Sequence, residues 1–335
     1  MKVIAILGGL GSQMFKYSFY LQVVKNSKDK NCLIDTSAYL QDKIWNGYEL
    51  NRIFSIQAPD IINYFSEDDI KIIMRSKFPA KYFVMNKILF SDRSLVKYYN
   101  RGFCDTWRYL DTSDPFSKIR NSFMDKAKYK CINNYRHVLK NVKSKFQIYG
   151  DKYYGKYLTE KYSLYFDEFN HNSDKYFIDC KNEIIKAFEF KTFNDITNIK
   201  IQKEMEQTES VAIHFRRGDH MYDNIELYKT NYFIKGVNYI KSKVSYPKFY
   251  LFSDDINWIK FNLNVSGLNI DIDSVVFVDW NIGSNSYKDM QLMTSCKHNI
   301  LSISSFGWWG YYLSTRNNKL VCAPKGYWLE VPVHL

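Results

Sequence analysis

The sequence contains no run of about 18 uninterrupted apolar residues, the length a helix needs to cross a bilayer, so no ordinary transmembrane helix is expected. Its opening run, MKVIAIL, breaks at Gly8-Gly9 and is too short for a signal sequence, so it reads as a first strand. A cytoplasmic protein with peripheral membrane contact at most is the expectation. The six cysteines are scattered, with no C-x-x-C pair and no histidine at zinc spacing, which argues against a disulfide framework and leads us to expect no metal. With 14 Gly and 6 Pro, few long loops are expected. Nucleotide fingerprints are missing too: there is no P-loop, and a G-x-G-x-x-G frame started at Gly9 puts Met14 where the third small residue belongs.

What is present is a globular composition, 46% hydrophobic and 18% aromatic, with 28 Tyr and 24 Phe. The net charge of +12 points to an anionic partner: nucleic acid, an anionic membrane or a nucleotide. A chain of 335 residues is about twice the usual domain size, so two domains are expected, 1–195 and 196–335, joined within the polar stretch 192–210. The basic, aromatic stretch 126–163 fits base stacking, an anionic membrane surface or solvated amphipathic helices. The last reading is preferred, and no nucleic-acid partner is expected.

From Ser210 onward, strand-like runs at 211–215, 248–253, 275–278, 299–303 and 320–323 alternate with helical stretches at 231–243, 286–297 and 306–315. Such alternation predicts an α/β fold with a parallel sheet. The amino-terminal part opens alike, with a strand at 2–7, a Gly turn at 8–11, a helix from about Gln13 and a strand at 32–35; residues 60–190 read as mostly helical, and 182–190 as a helix.

Ligands in open α/β sheets bind at the carboxyl ends of strands, and three of the predicted strands end in polar groups. VAIHF runs into His214, Arg216, Arg217, Gly218 and Asp219; the second ends on Ser253, Asp254 and Asp255; the fourth closes at Ser304 and Ser305 before Phe306. An arginine there can present its planar fork to a phosphate, and Ser304-Ser305 at a helix start can cap it or offer N–H groups to an anion. A surface turn and a plain N-cap account for the same residues. In GGLGSQMF, Gly9 and Gly11 let the backbone of a strand-to-helix turn approach a ligand closely, beside Ser12 and Gln13.

Taken together, these blocks resemble glycosyltransferase family 11, the α-1,2-fucosyltransferases. The resemblance rests on GGLGSQMFKYSF (8–19), NGYEL (46–50), SDKYF with EIIKAFEF (173–190), IHFRRGD (213–219), FSDDINW (252–258) and DMQLMTSCKHNILSISSFGWWGYYL (289–313). It implies two Rossmann-like domains facing across a cleft, the GT-B architecture, with an acceptor-side amino-terminal domain and a GDP-fucose-binding carboxyl-terminal one. It also implies inverting, metal-independent transfer of fucose from GDP-fucose, with no cofactor, to a galactose-containing glycan, lipid-linked or free, in bacterial O-antigen synthesis. By the same likeness Arg216 meets the β-phosphate, His214 and Arg217 hold the nucleotide, Asp289 binds toward guanine and Ser305 toward the diphosphate. The donor site drawn from these blocks comprises Gly9, Gly11, Ser12, Gln13, His214, Arg216, Arg217, Asp254, Asp289, Ser304, Ser305 and Phe306. Arg216 is the catalytic cation, and Asp219, Glu226 and Asp35 are the candidate general bases.

The chain departs from the family pattern in three blocks: Ser12 stands where Asn is usual and Lys16 where Gln is usual, Phe169-Asn170-His171-Asn172 replaces GYWQ, and the NSSFSWW block carries Ile303 and Gly307. Two other readings stay open. One is a fucosyltransferase of another linkage, α-1,6-like; the other is an anionic-surface or nucleic-acid-binding protein whose donor site has decayed.

Overall fold

The computed structural model describes residues 2–27, 31–41, 46–76, 80–81, 83–84, 164–166, 174–218, 227–228, 230–262, 265–268, 270–325 and 331–335. The stretch 126–163 lies outside them, as do Asp219 and Glu226. The chain forms two compact units: Met1–Leu7, Val23–Asp42 and Ala58–Asn170 make the first, and Gly8–Gln22, Lys43–Gln57 and His171–Leu335 the second.

The first unit holds a parallel three-stranded sheet in the order β2-β1-β3, from β1 (Lys2–Ala5), β2 (Cys32–Asp35) and β3 (Leu164–Phe166). KVIA and CLID are buried at every position, as in strands covered on both faces. Beside them, helix α3 (Glu67–Arg75) starts at Ser66, which shares a reciprocal capping box with Asp69.

In the second unit, β4 (Ser210–Phe215), β5 (Lys248–Ser253), β6 (Val275–Val278), β7 (His298–Ile300), β8 (Val321–Ala323) and β9 (Val333–His334) form one sheet in the order β6-β5-β4-β7-β8-β9. Every pairing is parallel. Renumbered from its first strand this is 3-2-1-4-5-6, the dinucleotide-binding Rossmann order, in which the direction of winding reverses between β4 and β7. The α/β class and the strands read from Ser210 onward are therefore present.

Alternation along β4 builds two cores. Val211, Ile213 and Phe215 pack with Phe233, Val237 and Ile240 of α6 (Tyr232–Lys241), the apolar stripe that helical spacing predicts. Ala212, on the other face, joins Tyr250, Phe252, Leu292, Met293 and Cys296. This second face is roofed by α5 (Ile196–Gln207), α8 (Tyr287–Ser295) and α9 (Ser305–Tyr312). The polar stretch 192–210, expected as the joint between domains, contains α5, which Asp195 caps through the Asn198 N–H at 2.8 Å.

The GGLG turn and α1 (Leu10–Asn26), as far as Gln22, belong to this second unit. They attach through aromatic packing: Phe15 lies 4.9 Å from both Trp308 and Trp309 of α9, and Phe177 stacks on Trp309. Short helices α2 (Leu50–Phe54) and α4 (Lys181–Ala187) and helix α7 (Ile256–Asn262) complete the described elements used below.

Candidate active site

The strand order directs attention to the carboxyl ends of β4 and β7, where His214, Arg216 and Ser302 come together. Past Phe215 the chain turns sharply, and one carboxylate organises the turn. Asp254, beyond the end of β5, accepts the Arg217 N–H at 2.8 Å, the Gly218 N–H at 2.9 Å and Arg216 Nη1 at 2.9 Å. A Cβ on Gly218 would stand 2.6 Å from Asp254 Oδ2, so any side chain there would push the carboxylate away from the main chain it binds. Expected to contact the donor, Asp254 in this structure aims the Arg216 side chain.

Arg217 is held differently. Its Nε donates to Asp255 Oδ2 at 3.2 Å, and its guanidinium lies 3.4 Å from the ring centroid of Trp258, with Tyr228 at 5.3 Å. Tyr228 in turn donates its hydroxyl to the Arg216 carbonyl at 2.9 Å. FSDDINW thus supplies a carboxylate to each arginine and an aromatic face to the second.

Ser302, just past β7 and fully buried, accepts the Arg216 N–H at 3.1 Å and lies 3.0 Å from His214 Nδ1. Burial pushes the His214 pKa down to about 4; Asp254 pulls it up and Arg216 down again. The ring is neutral at ordinary pH. It stacks on Phe306, and a Cβ on Gly307 would stand 2.8 Å from its Nδ1. His214 and Phe306 thus brace the strand ends beneath the turn.

Two helix N-termini meet nearby. Ser304 caps α9, its Oγ accepting the Phe306 N–H at 3.2 Å. Gly11, in the first turn of α1, lies so close that a Cβ there would be 2.7 Å from Ser305 Oγ and 2.8 Å from the Phe306 nitrogen, and its carbonyl accepts Trp309 Nε1 at 2.9 Å. The positive ends of both helices are therefore adjacent. Gly8 makes the preceding turn at φ +83°, and the Gly9 carbonyl receives the first helical hydrogen bond from Gln13.

Gln13 is engaged with main chain. It is fully buried, donates to the carbonyls of Gly8 (3.0 Å) and Gly47 (2.9 Å), and accepts the Glu49 N–H (2.9 Å), fastening NGYEL to the start of α1. Two of the family departures touch each other, with Lys16 Nζ donating to Ser12 Oγ at 3.1 Å. Asp35 is 1% exposed in the first unit and accepts the Ser37 N–H at 2.9 Å.

Asp289 lies in the first turn of α8, at the same edge of the sheet beyond β6. Asn281 Nδ2 donates to its Oδ1 at 2.9 Å. Burial raises its pKa to about 7, against the lowering effect of that hydrogen bond. Among the described residues, no group of three or more His, Cys, Asp or Glu side chains is arranged to hold a metal ion. No described helix is long and apolar enough to cross a membrane.

A model of glycosyl transferase family 11 matches residues 8–327. The chain belongs to this family. An Escherichia coli α-1,2-colitosyltransferase is 30% identical over 164 residues, 47% of this chain and 54% of the relative, so the chain spans about half the length of that protein. The Escherichia coli O-antigen biosynthesis glycosyltransferase WbnK is 24% identical over 334 residues, 95% of this chain and 92% of the relative. Mouse galactoside α-(1,2)-fucosyltransferase 2 is 31% identical over 109 residues, 31% of this chain and 30% of the relative. Among solved structures, the fucosyltransferase NodZ from Bradyrhizobium aligns over 92% of this chain and 90% of its own, at 13% identity and a TM-score of 0.47.

Three residues that organise the site were not singled out from sequence: Ser302, Trp258 and Asn281. Trp258 sits inside the quoted FSDDINW block. Ser302 sits inside the 289–313 block but shows no link to Arg216 until β7 pairs with β4, and Asn281 carries no signal until the fold brings it beside Asp289.

Proposed function

We propose that the protein transfers L-fucose from GDP-fucose to the 2-hydroxyl of a galactose-containing glycan, with inversion and without a metal. The reading includes the GT-B architecture. It also includes work at the cytoplasmic membrane face, on a free or lipid-linked acceptor of O-antigen synthesis. The observation that carries it is the Arg216 turn at the reversal point of a Rossmann sheet, beside the N-terminus of α9. The names of the family 11 relatives support the sugar, the linkage and the pathway, and the net charge of +12 suits an anionic donor and an anionic surface.

In this reading chemistry follows charge. As the bond between the fucosyl carbon and the β-phosphate breaks, negative charge gathers on the departing phosphate and positive charge on the sugar ring. A guanidinium fixed by Asp254 and the amide groups of a helix N-terminus stabilise that separation more than they stabilise the bound donor, and so lower the barrier. The acceptor hydroxyl attacks the opposite face, turning a β-linked donor into an α-linked product, and a carboxylate takes its proton. Asp219 and Glu226 are the proposed bases.

Incubation with GDP-fucose and a panel of β-galactosides tests the proposal, with GDP release followed and the product linkage read by NMR. An α-1,2-fucosylated galactoside is expected; no GDP release and no product across a broad panel would sink the reading. A second reading, colitosyl in place of fucosyl transfer, is favoured by the 30% identity to the colitosyltransferase. Competition between GDP-fucose and GDP-activated colitose for one acceptor separates the two.

A further inference from the structure

Beyond β6 the chain leaves the sheet at Asp279, and eight residues after Asn281 it places Asp289 in the first turn of α8. Between these points lies a hydrogen-bond relay with an unambiguous direction. Trp280 Nε1 can only donate, and it donates to Asn198 Oδ1 at 2.9 Å. The amide nitrogen of Asn198 must then face the other way, where it donates to Asp195 Oδ2 at 3.0 Å and to Asn281 Oδ1 at 2.9 Å. Asn281, in turn, presents its nitrogen to Asn198 Oδ1 at 3.1 Å and to Asp289 Oδ1 at 2.9 Å. Both amides are buried, and every donor and acceptor on them has a partner.

The far end of the relay is anchored. Asp195 caps α5 and accepts Lys288 Nζ at 2.8 Å, and its hydrogen bonds to Asn198 and Lys288 bring its pKa down to about 2 despite some burial. The near end is a carboxylate with one oxygen engaged. Among the described residues Asp289 Oδ2 has no hydrogen-bond partner and no cation makes an ion pair with Asp289: Lys288 faces Asp195, while Arg52 lies over the Tyr287 ring and donates to the Ser284 carbonyl.

We infer that Asn281, oriented by Asn198 and Trp280, is a positioning residue that fixes the Asp289 carboxylate for a purine presenting two adjacent N–H donors, and so sets preference for guanine in the donor. The inference rests on the proposed GDP-fucose reading. A guanine edge offers N1–H and the exocyclic N2–H₂ side by side, a match for two carboxylate oxygens, as a guanidinium is. Adenine offers no such pair. A carboxylate that must meet both donors has to be held against rotation about its side-chain bonds, and a neutral amide does this without cancelling the charge the base needs. A cation in place of Asn281 would compete with the ligand.

Calorimetric affinities of the full chain for GDP and inosine diphosphate, which lacks the 2-amino group, test the inference at several pH values. The wild type should favour GDP by about tenfold, the size of one charge-assisted hydrogen bond. Its GDP affinity should fall as pH drops through about 7, where Asp289 takes up a proton. Asn281→Ala should reduce the ratio toward one and move the pH midpoint upward, because the hydrogen bond that favours the carboxylate is gone. If Asn281→Ala does not fold, Trp280→Phe takes away the indole N–H that orients the relay, together with part of the ring, and should shift both readouts the same way by less. A preference and a midpoint unchanged in the folded variants overturn the inference. A wild-type chain that binds neither nucleotide overturns the GDP-fucose reading itself; a wild type that prefers GDP, with that preference kept in Asp289→Asn, overturns the inference alone.

Discussion

The two edges of the six-stranded sheet both hold a histidine, basic side chains and carboxylates, yet they arrange them in opposite ways. At the amino edge, Glu209 accepts Lys297 Nζ at 2.5 Å and pairs with His298 Nε2 at 3.1 Å, while His298 Nδ1 accepts the Leu320 N–H at 3.0 Å. Each charge there is answered by its neighbour. At the carboxyl edge, Asp254 is divided among three donors, two of them main-chain N–H groups, so it shapes a turn as well as pairing with Arg216. A cluster that neutralises itself closes an edge; a carboxylate used to hold backbone fixes a turn that carries a guanidinium.

Removing Arg216 should have the largest effect. If the carboxyl edge receives the leaving diphosphate, Arg216→Ala should lower kcat by about 10²–10³-fold, the usual cost of deleting a donor that stabilises transition-state charge. Steady-state rates with saturating GDP-fucose measure it, and a near-normal kcat would contradict the role. Asp254→Ala should come next. It strips the acceptor from the Arg217 and Gly218 N–H groups and from Arg216, a loss of about 2–3 kcal/mol in transition-state stabilisation, or about 30- to 150-fold in kcat/KM. An Asp254→Ala enzyme with full activity would show that the turn holds its shape without that carboxylate.

These two predictions separate what was legible in the sequence from what was not. VAIHFRRGD can be read as a strand running into an anion-binding turn because β-branched and aromatic residues precede a Gly with arginines before it. That Asp254 would brace the turn cannot be read from it, since Asp254 and Arg217 lie 37 positions apart and meet only because β5 pairs in parallel with β4. The same holds for Ser302, which reaches Arg216 across 86 positions once β7 takes the other side of β4. Local signals failed where a segment was short or polar. Strand β3 has three residues, too few to display a period. Helix α5 lies in a polar stretch that reads as a joint; its Asp195 cap and buried Met205 emerge as helix signals only when its sheet-facing side is known.

The histidines sharpen the comparison through pH. Burial lowers the His214 pKa to about 4, below its ordinary value near 6.5. Between those values the unfolded chain takes up a proton that the folded chain refuses, so this residue's contribution to stability is complete above about 6.5 and declines as pH falls. His298 is also shifted down, chiefly by burial, but Glu209 opposes the shift. Melting temperatures from pH 7 to pH 4.5 should therefore flatten more in His214→Gln than in His298→Gln. Equal slopes in the two variants would mean that the edges do not differ in how they tolerate a proton.

The smallest expected effect is also the control for the comparison. Glu209→Gln removes the charge that answers Lys297 and His298 at the amino edge while keeping a hydrogen-bonding side chain of similar size. Its carboxylate is partly exposed, and such a pair is worth about 1 kcal/mol or less. The melting temperature should fall by a few degrees at most, with kcat and KM for GDP-fucose unchanged, because sheets of this order bind their ligands at the carboxyl ends of the strands. A large loss of activity from this substitution, with the fold intact by circular dichroism, would mean that the amino edge takes part in binding, and the division between a closed edge and a working one would have to be abandoned.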